Sequence, residues 1–442
     1  MRASSLQNLM RCYRRHVAGR PLETKPAALV VAVGAGSDDG FDQAFQAGNF
    51  RFVLAEPEAP AFGPADIAIC GMLPAAADEI ARTFADLSGL LDPAGILFLL
   101  APRNGADPDR AGVAAAASKA GLDLVESWTD ERGASRDFVA VLRAAGAPAP
   151  VAASTAADHP FTVESTPEME RVGGSLPYRD ILARLHRELA PAHYLEIGIR
   201  LGASLVLAGG PATGVDPFPK LRHELPAGTR VVAKASDDFF LEDGEARRAD
   251  LAFIDGMHLV ENALSDFMNV ERWSLPGAVA VIDDILPNHP AQAARSRHTY
   301  AWTGDVWRLM KILEAYRPDL FLLPLDTAPT GLLLVAGLDP GSRVLWDRYD
   351  EIVTAALAWP GPPEEILARG GVVPPVGDGF DRVMAALRDA RAGGAAPAEI
   401  AARARAALAG EVKPAPAPES AGGLRRFFSK IGALLGAGRN FG

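Results

Sequence analysis

Short apolar runs recur between residues 175 and 338, and polar stretches of helical character separate most of them. Apolar runs without polar alternation are typical of parallel strands that helices cover on both faces. We predict seven strands here, at residues 194–199, 214–216, 230–235, 251–255, 278–283, 320–325 and 332–336.

The stretches between these runs have helical spacing. Residues 260–273 place Leu264, Phe267 and Met268 on one face, and residues 305–316 repeat this pattern. Strand and helix in alternation predict right-handed crossovers and a doubly wound α/β sheet. Only residues 326–330 separate the last two strands, which is a hairpin length, so we expect one of them to run antiparallel.

Residues 27–145 repeat the alternation in reduced form. No run matches the third central strand, and Cys70-Gly-Met-Leu replaces the central Asp-Gly-Met-His, so we expect an abridged, non-catalytic relative. The predicted organisation is a basic lead-in at 1–26, an abridged α/β domain at 27–145, an Ala/Pro/Ser/Thr-rich linker at 146–174, the main domain at 175–338, a helical extension at 339–410, and a Pro-rich linker with a tail helix at 411–442.

Composition narrows the classes of function. A chain of 442 residues is longer than one hydrophobic core usually holds, which favours two domains. A net charge of -11 and the lack of a positive stripe argue against nucleic-acid binding. Cys12 and Cys70 lie far apart and predict neither a disulfide framework nor a zinc site. No apolar run has the length of a membrane span or a secretory signal, so we expect a cytoplasmic protein.

The first central strand leads into Glu196-Ile-Gly198-Ile-Arg-Leu-Gly202-Ala-Ser204. The glycines allow a sharp turn and a close approach to a ligand, and the helix expected after them can receive a carboxylate at its N-terminus. Glu196 can face a positive group of that ligand. The spacing departs from G-x-G-x-x-G, which argues against a dinucleotide.

Acids follow the next two strands. Asp216 comes about 20 residues after the glycine turn, where a carboxylate can accept both hydroxyls of a ribose. Asp237 follows the third strand, at the place where an acid or amide meets an adenine. The alternative for Asp216 is a turn residue that ends a strand before Pro217.

Three more carboxylates follow the fourth and fifth strands. Asp255 precedes Gly256-Met257-His258, and Asp283 and Asp284 end the fifth strand. Because these strand ends meet at one sheet edge, the acids repel one another unless a cation lies among them, and Mg²⁺ prefers such oxygen ligands. A metal there lowers the pKa of a substrate hydroxyl, and His258 can remove its proton. The alternative is a capping Asp255, loop acids and a solvated histidine.

The series Tyr-Leu-Glu-Ile-Gly, Gly-Val-Asp-Pro, Phe-Ile-Asp-Gly-Met-His and Val-Ile-Asp-Asp resembles class I S-adenosylmethionine (SAM) dependent methyltransferases. Within them it is similar to the branch with the macrocin and mycinamicin type sugar O-methyltransferases. The resemblance spans roughly residues 175–338. It implies a Rossmann-like methyltransferase fold whose last strand is antiparallel, and a sugar, glycan or related small molecule as methyl acceptor.

The resemblance also implies roles for individual residues. Mg²⁺ is expected at Asp255, Asp283 and Asp284, and His258 is expected to act as the base beside Asp255. Val260 stands where related sequences often have an aromatic residue, so the acceptor pocket should differ. The residues expected to bind SAM are Glu196, Gly198, Gly202, Ser204, Asp216, Asp237 and Asp255.

Residues 286–303 form a long polar segment, typical of a lid or binding loop. Trp302 is expected to stack on a sugar, and Thr303 to cap the following helix. Arg295 and Arg297 either hold an acidic substrate group or are solvated surface arginines.

The tail at 424–435 has a basic, amphipathic helical pattern. Such a helix can lie on an anionic membrane surface, or it can dock on its own protein or on a partner. Formation of a homo-oligomer stays open.

Two other classes of function compete with a methyltransferase. A NAD-type oxidoreductase is disfavoured by the missing third glycine and by the clustered acids. A non-catalytic SAM-fold binding protein differs from an enzyme only in turnover.

Overall fold

The computed structural model describes residues 3–16, 28–33, 50–54, 65–70, 77–89, 91–101, 110–133, 137–147, 165–242 and 244–410. The predicted tail helix at 424–435 lies outside these residues. Cys12 and Cys70 are both buried, and neither is in a disulfide bond. Within the described ranges, no helix is long and apolar enough to cross a membrane.

The central sheet has seven strands in the order β10-β9-β8-β11-β12-β15-β13. All neighbours are parallel except β15, which is antiparallel to both β12 and β13. The predicted doubly wound sheet and its antiparallel strand are therefore confirmed. Its strands are β8 Tyr194–Ile197, β9 Ala212–Val215, β10 Thr229–Val232, β11 Ala249–Ile254, β12 Ser274–Asp283, β13 Phe321–Leu325 and β15 Leu332–Ala336.

Helices cover both faces of this sheet. All six residues of β11 are buried, and successive side chains alternate between two apolar layers: Ala252 and Ile254 join one, Leu251 and Phe253 the other. The first layer contains Val260–Arg272, Trp307–Tyr316, Val344–Asp347 and Tyr349–Leu357, with the short helices Ser236–Glu242 and Glu364–Leu367 beside it; the second contains Tyr178–Leu189, Asp378–Ala392 and Pro397–Ala409.

The C-terminal helices Asp378–Ala392 and Pro397–Ala409 therefore complete the core. Their buried residues, such as Leu387 and Ala401, lie in the same apolar layer as the inner residues of Tyr178–Leu189. Without them, one face of the sheet would be exposed to water. A small two-stranded sheet of β7 Leu176–Pro177 and β14 Thr327–Ala328 joins the start of the domain to its last hairpin.

The first sheet has the order β2-β1-β3-β4-β6-β5, with β6 antiparallel to both neighbours. Among the described residues, this is the central order without a strand in the place of β10. Its elements are β1 Ala28–Val33, β2 Phe50–Leu54, β3 Ala65–Cys70, β4 Leu91–Ala101, β5 Leu122–Thr129, β6 Phe138–Ala144 and the helices Ala77–Ser88 and Arg110–Lys119.

The N-terminal helix Ala3–His16, named α1, lies between the two sheets. Arg11, 3% exposed, donates from Nε to Asp238 of the central domain at 2.5 Å and from an Nη atom to Glu126 of β5 at 3.3 Å. Its guanidinium also lies 4.2 Å from the ring centre of Trp128. Residues 3–16 of the basic lead-in are thus packed against the rest of the protein.

Candidate active site

Four strand ends lie side by side at one edge of the central sheet. Residues Ile197, Val215, Ile254 and Ile282 are paired in register across β9, β8, β11 and β12. Parallel strands that end at one level deliver the residues that follow them to a single crevice. Those following residues are Gly198, Asp216, Asp255 and Asp283, all predicted site residues.

Gly198 forms the tightest contact at this edge. Its φ is +87°, and a Cβ there would lie 1.8 Å from the backbone oxygen of Asp255. Only glycine fits this position, because a side chain would separate β8 from β11. Gly202 also has a left-handed φ of +77°, but a Cβ there would meet only side chains, Leu221 at 3.0 Å and Leu225 at 3.5 Å.

The helix expected after the glycine turn does not form. The chain makes a three-residue 3₁₀ turn, Leu205–Leu207, and Ala208 is already extended. Gly209-Gly210-Pro211 follows, and these residues disfavour a helix. The prediction of a carboxylate at a helix N-terminus is therefore wrong for this turn.

Glu196 and Ser204 lie beneath the turn. Glu196 is fully buried, and its two oxygens accept hydrogen bonds from Tyr194 Oη at 2.8 Å and Ser204 Oγ at 2.5 Å. Burial raises the pKa of Glu196 to about 7, although both hydrogen bonds act in the opposite direction. These contacts tie the turn to β8, and a direct contact of either residue with SAM stays a prediction.

Asp216 lies directly beside the turn. Its carboxylate accepts the backbone N–H of Arg200 at 2.8 Å and that of Phe218 at 2.7 Å. Asp237 is at the start of the helix Ser236–Glu242, where its Oδ1 accepts the N–H of Asp238 at 3.0 Å. Asp238 itself is held by Arg11, so the site includes a contact from α1.

Asp255, His258 and Asp284 form one cluster. One ligand atom from each lies within 4.8 Å of the others, an arrangement that can hold a metal ion. His258 Nε2 is 3.5 Å from Asp255 Oδ1, and Nδ1 is 3.0 Å from Asp284 Oδ2. Asp284 has a φ of +63°, a left-handed conformation that turns the chain sharply after β12.

The hydrogen bonds fix the tautomer of His258. Nδ1 lies 2.9 Å from the backbone oxygen of Trp302, which only accepts, so Nδ1 carries the proton. The imidazole stacks on the Trp302 indole at 4.9 Å and 14°. Burial alone would lower the pKa of His258, but Asp284 and Asp255 outweigh it and raise the pKa well above its usual value.

The predicted third ligand, Asp283, lies next to this cluster but outside it. Its Oδ1 accepts the N–H of Asp284 at 2.8 Å. Burial, together with the charges of Asp284 and Asp255, raises the pKa of Asp283 well above its usual value. Burial also raises the pKa of Asp255, to about 6. The four side chains line a cavity of about 10 Å³, which matches one water or ion.

Residues 286–303 are anchored, and the prediction that Thr303 caps the next helix is wrong. Thr303 is buried, and its hydroxyl donates to Gln292 O at 3.1 Å. Arg295 is not simply a solvated surface arginine, since it forms ion pairs with Glu261 at 2.6 Å and with Asp305 at 2.7 Å.

Sequence reasoning missed Asp305 and Tyr178. Asp305 is fully buried, and its Oδ1 accepts the N–H of Val260 at 2.8 Å, so it caps the helix Val260–Arg272. Leu259 at the N-cap has no capping side chain, which signals a distant partner. Tyr178 stacks against Phe253, and burial with the nearby acids raises its pKa.

Comparisons with known proteins agree with this architecture. Residues 195–285 match a family model described as a methyltransferase domain, about a fifth of the chain. No curated protein matches the chain. With the observed strand order, the match confirms the predicted Rossmann-like methyltransferase fold of the central sheet.

Solved structures similar to part of the chain include three methyltransferase or cofactor-bound proteins. An O-methyltransferase from Bacillus cereus in complex with SAH is 17% identical and covers 36% of this chain and 79% of its own, with a TM-score of 0.29. Cofactor-bound Rv0187 from MTB is 22% identical and covers 38% of this chain and 83% of its own, with a TM-score of 0.31. The O-methyltransferase TomG from Streptomyces achromogenes, in complex with SAM, is 20% identical. It covers 37% of this chain and 81% of its own, with a TM-score of 0.28.

Proposed function

We propose that this chain is a SAM-dependent methyltransferase that transfers a methyl group to a hydroxyl of a sugar, glycan or related small molecule. The observation that carries the proposal is the cluster of Asp255, His258 and Asp284 at the same sheet edge as Gly198 and Asp216. This edge lies within the segment that matches the methyltransferase domain. The macrocin and mycinamicin type branch is proposed from the series of four motifs that runs from Tyr-Leu-Glu-Ile-Gly to Val-Ile-Asp-Asp.

The crevice has features suited to SAM. Gly198 lets the ends of β8 and β11 come close together, and the Asp216 carboxylate has lone pairs beyond its two backbone bonds for ribose hydroxyls. The negative charge of Asp255 at the same edge favours a sulfonium donor. SAM supplies an activated methyl group, so the protein chiefly orients an acceptor oxygen in line with it.

The acid cluster fits a divalent cation. Burial is the main cause of the raised pKa of Asp283, and the charges of Asp284 and Asp255 add to it, so a cation among these carboxylates would be favoured. Asp255 and Asp284 would hold the cation, with Asp283 alongside. A bound Mg²⁺ would lower the pKa of the acceptor hydroxyl.

His258 is the proposed base. Asp284 and Asp255 raise the pKa of His258, and a cation held by these carboxylates would offset their charge and allow Nε2 to lose its proton. Because Nδ1 donates to Trp302 O, Nε2 is then the nitrogen that can take the acceptor proton. The stack on Trp302 and the carboxylates on both sides hold the ring in this orientation. The proton then passes from the acceptor oxygen to Nε2 as the methyl group is transferred.

Labelled-methyl transfer to a panel of sugars tests the proposal. We expect His258→Ala to lower the rate by about 10²–10⁴-fold, and Asp255→Asn and Asp284→Asn to remove the dependence on Mg²⁺. Asp389→Asn, an exposed acid far from the site, is the matched control. Unchanged rates and no loss on chelation would refute the metal mechanism. SAM binding with no methylated acceptor would instead favour a non-catalytic binding protein.

A further inference from the structure

Arg297 lies next to the aromatic stack that covers His258. Its guanidinium carbon is 5.9 Å from the ring centre of Trp302, whose indole stacks on the His258 imidazole at 4.9 Å. Nε of Arg297 donates to Thr299 O at 3.2 Å, and an Nη atom donates to Tyr300 O at 2.9 Å. The guanidinium is therefore directed by its own loop and lies close to the proposed base.

The loop that carries Arg297 is anchored on its inner side. Gln292 is fully buried, and its side-chain amide donates to the backbone oxygens of Met169 and Arg171, both at 2.7 Å. Trp302 Nε1 donates to Ala294 O at 2.6 Å. Binding groups held on such a frame lose little conformational entropy when they bind a ligand.

A second arginine reaches the same rim from the glycine turn. Arg200 is exposed, and its backbone N–H is bound to Asp216. Burial and the positive charge of Arg200 lower the pKa of Arg297, although Asp284 and Glu170 act in the opposite direction. Two cationic side chains at one edge of the sheet favour an anionic ligand there.

Arg297 and Arg200 are both placed at one edge of the sheet. Trp302 links Arg297 to His258, and Asp216 binds the backbone of Arg200 beside the ends of β8 and β9. Arg295 of the same loop instead forms ion pairs with Glu261 and Asp305.

We propose that Arg297 and Arg200 bind an anionic group of the methyl acceptor, a carboxylate or a phosphate, while the acceptor hydroxyl lies at His258. The acceptor class is then an acidic sugar, such as a uronate or a sugar phosphate. This inference rests on the proposed function. Guanidinium groups suit either anion, because their fork of N–H donors matches two acceptor oxygens.

Binding measurements on the full chain saturated with S-adenosylhomocysteine test this assignment. The probes are D-glucuronate, glucose 6-phosphate and uncharged D-glucose. We expect at least one anion to bind about tenfold or more tightly than glucose, since a charge-assisted contact is worth about that factor. Arg297→Gln should abolish this preference, Arg200→Gln should reduce it, and Arg297→Lys should retain part of it.

Controls separate this inference from the proposed function. Arg403→Gln removes an equal charge from a surface pair with Glu399 and should leave every affinity unchanged. Equal binding of the three probes, or an anion preference that survives in Arg297→Gln, overturns the inference. A loss of S-adenosylhomocysteine affinity in Arg297→Gln also overturns it, since the arginine would then serve the cofactor carboxylate. If the unaltered chain binds no S-adenosylhomocysteine, the proposed function fails as well.

Discussion

At the scale of single residues, Gly198 decides whether β8 and β11 can end side by side. We expect Gly198→Ala to destabilise the protein by about 1–3 kcal/mol, because alanine at a φ of +87° is strained and its Cβ would meet Asp255 O. Chemical denaturation measures this loss. Gly209→Ala is the control, since a Cβ at Gly209 meets nothing within 4 Å. Equal stabilities of the two variants would contradict the close approach.

His186 is a buried titratable group that the proposed reaction does not use. Its ring packs edge-on against Tyr194 at 4.4 Å, and among the described residues neither ring nitrogen has a hydrogen-bond partner. Burial lowers the pKa of His186 to about 4, below the value of 6.5 expected in the unfolded chain. The folded state therefore takes up this proton later than the unfolded state as pH falls.

This pKa difference predicts a loss of stability in acid. Between pH 6.5 and about 4 the free energy of unfolding should fall by up to about 3 kcal/mol on account of His186 alone. His186→Phe keeps an aromatic ring and should flatten this part of the pH profile. Urea titrations at pH 7.5, 5.5 and 4.5 measure the slope, and an unchanged slope in the variant would show that another group causes it.

At the scale of elements, the buried side-chain amide of Gln292 is one anchor of residues 286–303. We expect Gln292→Leu to leave the oxygens of Met169 and Arg171 without their donor, at a cost of about 1–3 kcal/mol. Amide hydrogen exchange in residues 286–303 should become faster, while the affinity for S-adenosylhomocysteine stays the same. Asn269→Leu is the control, because its amide bonds only within its own helix. Unaltered exchange would show that other contacts hold the loop.

The elements were predictable where local pattern determines them. Seven apolar runs gave the seven central strands, and the short connection at 326–330 gave the antiparallel one, because burial and loop length are local properties. The prediction of a helix after Gly202 was wrong because Gly209-Gly210-Pro211 ends the turn almost at once. The prediction of a helix cap at Thr303 was wrong because tertiary contacts bury its hydroxyl.

The candidate site, too, was predictable only where the local order of strands and residues determines it. Asp216, Asp255 and Asp283 follow strands directly, so their shared edge follows from the topology. The stack of His258 on Trp302 joins positions 44 residues apart, and the cap of Asp305 on Val260 joins positions 45 apart. No local pattern encodes such pairs.

At the scale of the whole molecule, α1 links the first sheet to the proposed cofactor site. We expect Arg11→Met to remove the buried one of the two arginines that pair with Asp238 and Glu126. The cost should be below the roughly 3–5 kcal/mol of an uncompensated buried charge, because Arg15 still contacts both acids. The affinity for SAM should fall as well, because Asp238 lies beside Asp237 in the helix Ser236–Glu242.

A double-mutant cycle separates this coupling from general destabilisation. Asp238→Asn combined with Arg11→Met should cost less than the two single changes together, since the two groups contact each other. Arg403→Met provides the surface control. Full SAM affinity in a folded Arg11→Met protein would show that α1 does not support the site.

Calorimetric titration of SAM into the full chain, with NAD⁺ in a parallel titration, tests the central claim most directly. The account predicts one SAM bound per chain, an affinity about tenfold or more weaker in Asp216→Ala because the ribose hydroxyls lose their acceptor, and no heat with NAD⁺. Binding of NAD⁺ together with a silent SAM titration would contradict it.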